Sequence, residues 1–272
     1  RPPRLALPQD RPRKPVPPGR SGVIPFRIAG GFGAEMGSFA KAQGVSDFAV
    51  MLAAYAALLG GYSGARELLI HSAGANRTQR EFESVVGFFT NLIAYRLSVD
   101  PEASFAKLCR ATQEEVQAVL SNQAVPTQQV IAELAEKDEV YRAVRARADD
   151  STGLFQVGFS MRHPGNVGTD AFDEFINDAS GETALDFGEI RVRRFPVDRL
   201  SAFYDLGFYV QESQGTVHAE ARYNAEIYEA ATVKRIVKDY ESLLKRAVAK
   251  PDSKLQSLLR GLKAPAEPAA AK

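Results

Sequence analysis

Apolar positions divide the chain into alternating helical and strand-like stretches. Phe48, Met51, Leu52, Tyr55, Leu58 and Leu59 recur at helical spacing behind Ser46, which suits an N-cap, and Gly60 and Gly61 read as the stop. SGVIPFRI (21–28) before this helix and ELLIHSAG (67–74) after it read as strands. A second stripe, Phe105, Leu108, Cys109, Val116, Val119 and Leu120, predicts a helix over 104–120, and Pro126 opens another that runs through Ile131 and Leu134. LFQVGFSM (154–161) is short, apolar and bounded by turn formers, as a buried strand would be. YDLGFYV (204–210) and TVHAEARY (216–223) alternate and read as a hairpin joined through ESQGT. The last helix, from about Ala230 to Val248, turns Val233, Ile236, Val237, Tyr240, Leu243 and Leu244 inward. Helices interleaved with strands predict an α/β fold, a mixed β-sheet layered with helices.

VVGFFTNLIAYR (85–96) also reads as a buried strand, except that Asn91 stands where Val or Ile would be expected. Burying an amide without partners costs roughly 1–3 kcal/mol, so a neighbour, a ligand or water must meet it.

The ends differ from the middle. Residues 1–20 are rich in Pro, Arg and Lys and read as an extended lead-in segment, 21–262 as the folded lobe, and 263–272 as a linker or tail. Proline throughout the start, and no initiating Met, suggest the interior of something longer. Between Met161 and Glu189 a run rich in Gly, Asp and Asn reads as a long loop, a candidate lid or crossover. A net charge of +1 offers no global field for nucleic acid or anionic lipid. No apolar run approaches the ~20 residues that span a bilayer, and a single cysteine excludes an internal disulfide framework. A cytoplasmic address without nucleic-acid or membrane partners is the default.

Catalytic motifs are faint. GFGAEMG (31–37) nearly has dinucleotide-binding spacing, but Met36 stands at the third glycine position, so it reads as a plain loop. GYSGA (61–65) nearly spells a nucleophile elbow, but it follows a helix and ends in Ala65, which leaves Ser63 as a turn residue. His71, His163 and His218 stand singly, without metal-ligand spacing. His218 is expected to face solvent, His163 begins the long loop, and His71 ends an apolar strand where a cleft could open. Cys109 lies on the apolar stripe of its helix and reads as core.

Taken in order, these blocks resemble the condensation domains of nonribosomal peptide synthetases, relatives of chloramphenicol acetyltransferase. LALPQDRPRKP is similar to the segment after the first lobe, and VSDFAVMLAAYAALLGGYSGARELLIHSAGANR to the helix, turn, strand and Asn-Arg that follow. VVGFFTNLIAYR resembles the GxFVNT block, with Thr90 for Val and Leu92 for Thr. NQAVPTQQV resembles a degraded (H/N)QDxPFE block, and LFQVGFSM and YDLGFYVQE follow in the family's order. The resemblance covers nearly all of 5–260. It implies a chloramphenicol acetyltransferase-like lobe in which Asn91 borders a cleft for thioester substrates, although a purely structural amide stays open. It also implies that Gly87 permits close backbone approach while Phe88 and Phe89 fill the two faces of the strand. The cleft candidates are therefore Asn91, Ser160, His71 and Gly87.

The family's HHxxxDG motif, whose second His positions or deprotonates the attacking amine, belongs to the first lobe, and no adjacent histidine pair occurs in this sequence. The family's RDxSRNPL block is reduced to RADDSTGLF. The expectation is a C-terminal lobe, inactive alone, that binds no cofactor directly and works on substrates carried on phosphopantetheine. Its implied partners are the N-terminal condensation lobe, peptidyl and aminoacyl carrier proteins and adjacent synthetase domains. A catalytically silent domain that recruits a tailoring enzyme or carrier protein is the alternative, and a coenzyme A-dependent acyltransferase is a third reading.

Overall fold

The computed structural model describes residues 5–12, 19–28, 31–82, 84–139, 142, 156–162, 175, 184–193, 195, 202–213 and 216–262. Six strands form one mixed sheet: β1 (Ser21–Ile28), β2 (Glu67–Gly74), β3 (Asn91–Ser98), β4 (Val157–Arg162), β7 (Leu206–Ser213) and β8 (Thr216–Asn224). Their spatial order is β1-β8-β7-β4-β2-β3, and β5 (Ala184–Phe187) pairs with β6 (Ile190–Arg193) in a separate hairpin. The β4 strand runs parallel to both β2 and β7, and the other pairings in the large sheet are antiparallel. The helices are α1 (Phe32–Gln43), α2 (Asp47–Ser63), α3 (Phe105–Ser121), α4 (Thr127–Lys137), α5 (Ala230–Ala249) and the short α6 (Leu255–Leu258).

The core lies between α2 and the sheet. Every residue from Ala49 to Gly60 is buried, and the many alanines let α2 approach β2, β4, α3 and α5 closely. Tyr55 projects from α2 into an aromatic cluster, its ring 4.8 Å from Phe208 and 5.5 Å from Phe159. Its hydroxyl donates to the Leu206 carbonyl at 3.1 Å, and the Tyr240 hydroxyl donates to the Met51 carbonyl at 3.2 Å, so both buried phenols are satisfied. Cys109 is fully buried, as its helical stripe predicts.

Several boundaries differ from expectation. GFGAEMG is not a loop but the first turns of α1, where Phe32, Met36, Phe39 and Ala40 bury one helical face that the three glycines disguise in the sequence. Gly60 and Gly61 do not stop α2, which continues to Ser63 and ends at Gly64 with φ 69°. A Cβ on Gly60 would lie 3.2 Å from the Ala65 carbonyl oxygen and 3.3 Å from Val99, so close packing rather than chain reversal explains this glycine. Ser63 is the last helical residue, its hydroxyl donating to the Leu59 carbonyl.

The end of the stretch 161–189 is structured. β5 and β6 form a hairpin there, with Gly188 at φ 61° in the turn, whereas residues 163–174 and 176–183 lie outside those described. Residues 13–18, 147–155 and 263–272 also lie outside them, and with them the RADDSTGLF block and the tail.

Residues 5–12 have no regular structure, yet they are tied down. The Gln156 side chain accepts from the Leu5 N–H at 2.9 Å and donates to the Leu5 carbonyl at 2.8 Å, mimicking a strand partner. The Asp10 carboxylate accepts from the Glu229 N–H and the Thr232 hydroxyl, both at 2.7 Å, which caps the start of α5 from outside. Among the described residues no single helix is long and apolar enough to cross a membrane.

Candidate functional site

Val85 to Thr90 are not part of a strand; β3 begins at Asn91. Val86 and Phe88 are 100% and 92% exposed, so Phe88 does not fill a sheet face, and only Phe89 turns inward, 5.3 Å from Phe82. Arg77 diverts the chain. Its guanidinium donates to the Phe82 carbonyl, to that of Val85 at 2.9 Å and to that of Gly87 at 3.5 Å, and it covers the Phe89 ring at 4.4 Å. Three carbonyls gathered on one cation hold Val85–Gly87 in a loop that a strand could not make. Gly87 has close company only from Phe89, whose ring would be 3.2 Å from a Cβ there.

Asn91 is met by protein. Its Nδ2 donates to the carbonyls of Gln123 at 2.8 Å and Val125 at 2.7 Å, both in the turn between α3 and α4. Gln123 returns the connection by accepting the Asn76 N–H through Oε1 at 3.1 Å, and the Thr127 hydroxyl donates to the Leu92 carbonyl. The NQAVPTQQV segment is thus bolted to the ends of β2 and β3 by side-chain amides. Asn91→Asp replaces the donor with a carboxylate aimed at two carbonyl oxygens. The expected result is a loss of about 1–3 kcal/mol in urea unfolding at pH 8, shrinking at pH 5 as the protonated acid regains one donor. Equal unfolding of variant and parent at both pH values would remove Asn91 from this role.

The four candidates do not converge. Asn91 lies at the end of β3 on the side of Ile93, Tyr95 and Leu97, which are buried against the helices. His71 and Ser160 are on the other side of the sheet: His71 is in register with Gly158, and Ser160 lies two residues further along β4. Contrary to expectation, His71 does not end its strand at a cleft. It sits inside β2, 2% exposed, paired across to Ala94. Burial pushes its imidazole down to about 3, opposed in part by a hydrogen bond with the Val157 backbone, so it is neutral and a poor proton acceptor. Ser160 is half-buried beside Tyr209 of β7.

A trough beside these residues was not anticipated. Gly158 and Gly207 leave room for the Tyr204 ring, which lies across β4 and β7 where their side chains would be. Next to it the Arg222 guanidinium lies 3.8 Å over Tyr209 and is paired with Glu220 at 2.8 Å. Arg222 and Tyr209 enclose, with Ser21, Phe203, Tyr204 and Tyr223, a hollow of about 70 Å³. His218 lies on the face of β8 opposite the buried Val217 and Ala219, as the alternation predicts, but is half-buried there, its pKa lowered by burial and by Arg27 in register on β1. Burial pushes the Cys109 thiol up, which leaves no thiolate for chemistry. Among the described residues no group of three metal-ligating side chains occurs, and His163 lies outside them.

The roles of Arg77, Gln123 and Tyr204 leave no periodic signal, although Arg77 and Gln123 lie in blocks singled out by the resemblance: Arg77 acts on carbonyls 5 to 10 residues ahead, Gln123 on the Asn76 N–H 47 residues away, and Tyr204 fills the space left by Gly158 and Gly207.

Comparison with known proteins agrees with this architecture. The family model described as "Condensation domain" matches residues 1–262. Phosphinothricin tripeptide synthetase PhsB from Streptomyces viridochromogenes is 30% identical over 253 residues, which span 92% of this chain but 19% of that protein. The structure of holo-AB3403, a four-domain nonribosomal peptide synthetase bound to AMP and glycine, superposes with a TM-score of 0.77 at 21% identity, over 93% of this chain and 18% of that one. The condensation domain from Monacolin K polyketide synthase MokA superposes with a TM-score of 0.68 at 19% identity, over 93% of this chain and 54% of that one. The blocks read in order along the sequence, the mixed sheet with its buried α2, and the family match over nearly the whole length lead to one assignment: this chain belongs to the condensation domain family.

Proposed function

We infer that the chain forms the C-terminal lobe of a nonribosomal peptide synthetase condensation domain and supplies one wall of the cleft for amide formation. The carrying observation is that a chain matching the family along 1–262 superposes on about half, 54%, of an isolated condensation domain. In the proposed reaction an aminoacyl amine attacks the carbonyl carbon of an acyl thioester. The C–N bond forms, the C–S bond breaks, the amine loses a proton and the thiol leaves. Both reactants are carried on phosphopantetheine arms of carrier proteins, which together with adjacent synthetase domains are the partners.

The lobe's own part is to shape the wall and to orient. His71 is too buried and too weakly basic to take the amine proton near neutrality, and the sequence has no HHxxxDG. The base therefore belongs to the other lobe. Ser160 and the loop carrying Gly87 are the wall elements, and Asn91 acts by holding the 122–126 turn.

Incubating the chain with carrier-bound acyl and aminoacyl thioesters is expected to give no amide product by mass spectrometry. Adding the HHxxxDG-bearing half of the same domain is expected to restore it. Turnover by the chain alone, or none after the halves have associated, would overturn this reading.

A further inference from the structure

Three phenols and a guanidinium line the hollow over β7 and β8, and the fold does not use up their hydrogen-bonding capacity. Buried tyrosine hydroxyls ordinarily find a partner, as those of Tyr55 and Tyr240 do at 3.1 and 3.2 Å. Tyr204 and Tyr223 are only 7% and 6% exposed, yet their hydroxyls and that of Tyr209 have no partner among the described residues, and none of the three is sealed from solvent. Ser21 adds a fourth hydroxyl, whose one contact is a 3.5 Å approach to the Gly22 carbonyl. Burial pushes the Tyr204 and Tyr223 phenols up, so both stay protonated and can donate.

Arg222 is likewise only partly engaged. Its Nε and Nη2 both donate to a single oxygen, Glu220 Oε2, at 2.9 and 2.8 Å, which leaves Nη1 without a partner among the described residues. The Glu220 side chain is 38% exposed and that of Arg222 20%, so water screens the carboxylate more than the guanidinium. Every polar side chain lining the hollow can therefore donate, and Arg222 cannot accept. The space of about 70 Å³ suits about two waters or one carboxylate.

We propose that this hollow is a side pocket of the cleft that binds a carboxylate carried on the thioester-bound acyl or aminoacyl group, selected by Arg222 and the Tyr209 hydroxyl. This rests on the lobe assignment above. An ammonium would meet no acceptor there but hydroxyl oxygen, and an apolar group would leave every donor unpaired; an oxygen-rich anion satisfies them together. Tyr209 joins the hollow to the proposed wall, because it lies in register with Ser160 on β4 and with Glu220 on β8.

The test titrates N-acetylcysteamine thioesters of equal length, succinyl, its carboxamide and butanoyl, into the chain, followed by NMR shifts. The proteins are the parent, Tyr204→Phe, Tyr209→Phe and Arg222→Gln. The parent should bind the succinyl thioester about 10-fold more tightly than the butanoyl one, with the carboxamide between them. Arg222→Gln should bind all three alike. Each Tyr→Phe change keeps its ring in place and the melting temperature unchanged, and should weaken succinyl binding alone by about 3-fold. Equal affinity of the parent for succinyl and butanoyl, or a preference that survives in Arg222→Gln and Tyr209→Phe, overturns the proposal and leaves the hollow to water. Free succinate binding as tightly as the succinyl thioester would make this a site for a free carboxylate and overturn the substrate role. Reassembly with the HHxxxDG-bearing half separates the pocket from the lobe assignment. Amide formation from acidic and neutral carrier-bound substrates at equal kcat/KM sinks the pocket and leaves the assignment standing. No amide after the halves have associated sinks the assignment and the substrate role with it, while a succinyl preference lost in Arg222→Gln would still mark a carboxylate site.

Discussion

Gly158→Val is expected to destabilise the fold by about 3 kcal/mol, the upper end of the usual range for overpacking changes. An added Cβ at this position would lie 2.3 Å from Tyr204 Cε2 and 2.5 Å from its Cδ2, distances at which the ring must leave. Leaving is costly because Tyr204 is 7% exposed and stacks edge-on against Phe203 at 4.8 Å. Position 158 also lies in β4, flanked by β2 and β7, so the strand cannot swing outward to make room. Urea denaturation measures the loss, and Gly158→Val combined with Tyr204→Ala tests its cause. If the Tyr204 ring is the obstacle, the double variant will be less damaged than the sum of the two single ones. Strict additivity would assign the damage elsewhere. Gly207→Ala meets the same ring at 3.0 Å and should be milder. Since Ser160 and His71 lie on this side of the sheet, a displaced Tyr204 would also alter the proposed cleft wall.

The elements that could be read from the sequence are those whose reasons are local. Ser46 accepts the Ala49 N–H as an N-cap does, and the alternation in β7 and β8 maps onto a ladder from Leu206↔Tyr223 to Ser213↔Thr216. The errors have causes that hydrophobic periodicity does not report. An apolar run from Val85 to Phe89 has a strand's composition, but Arg77 collects its carbonyls before a neighbouring strand can. Asn91 looked anomalous because its partners are 32 and 34 residues away, in a turn whose position depends on the fold. In α1 the glycines hid an amphipathic face, and in α2 they mark close packing that periodicity does not report. The family blocks were legible as an ordered set even though two of them were eroded, because their order constrains more than any one block does.

Lowering the pH should expose the position of His71. Its folded-state pKa, pushed down to about 3 by burial, lies below the value near 6.5 of an unfolded histidine. The unfolded chain therefore takes up a proton below about pH 6.5 that the native chain refuses until about pH 3, and stability falls as pH drops through that window. The slope approaches about 1.4 kcal/mol per pH unit, so between pH 8 and pH 4.5 this one side chain should remove roughly 2–3 kcal/mol. His71→Gln keeps a polar group for the Val157 backbone but does not titrate. The variant should be the less stable protein at pH 8 and should recover about that amount relative to the parent at pH 4.5, as measured by urea unfolding at both values. Carboxylates common to both proteins cancel in the difference, so parallel pH profiles would mean that His71 is not held neutral by burial. The same variant in the reassembled domain separates structure from chemistry. A histidine that cannot take a proton near neutrality contributes nothing as a base, so the pH dependence of kcat above pH 6.5 should keep its shape after substitution. Loss of a rise in kcat with pH in that range would place His71 in the proton path as a base.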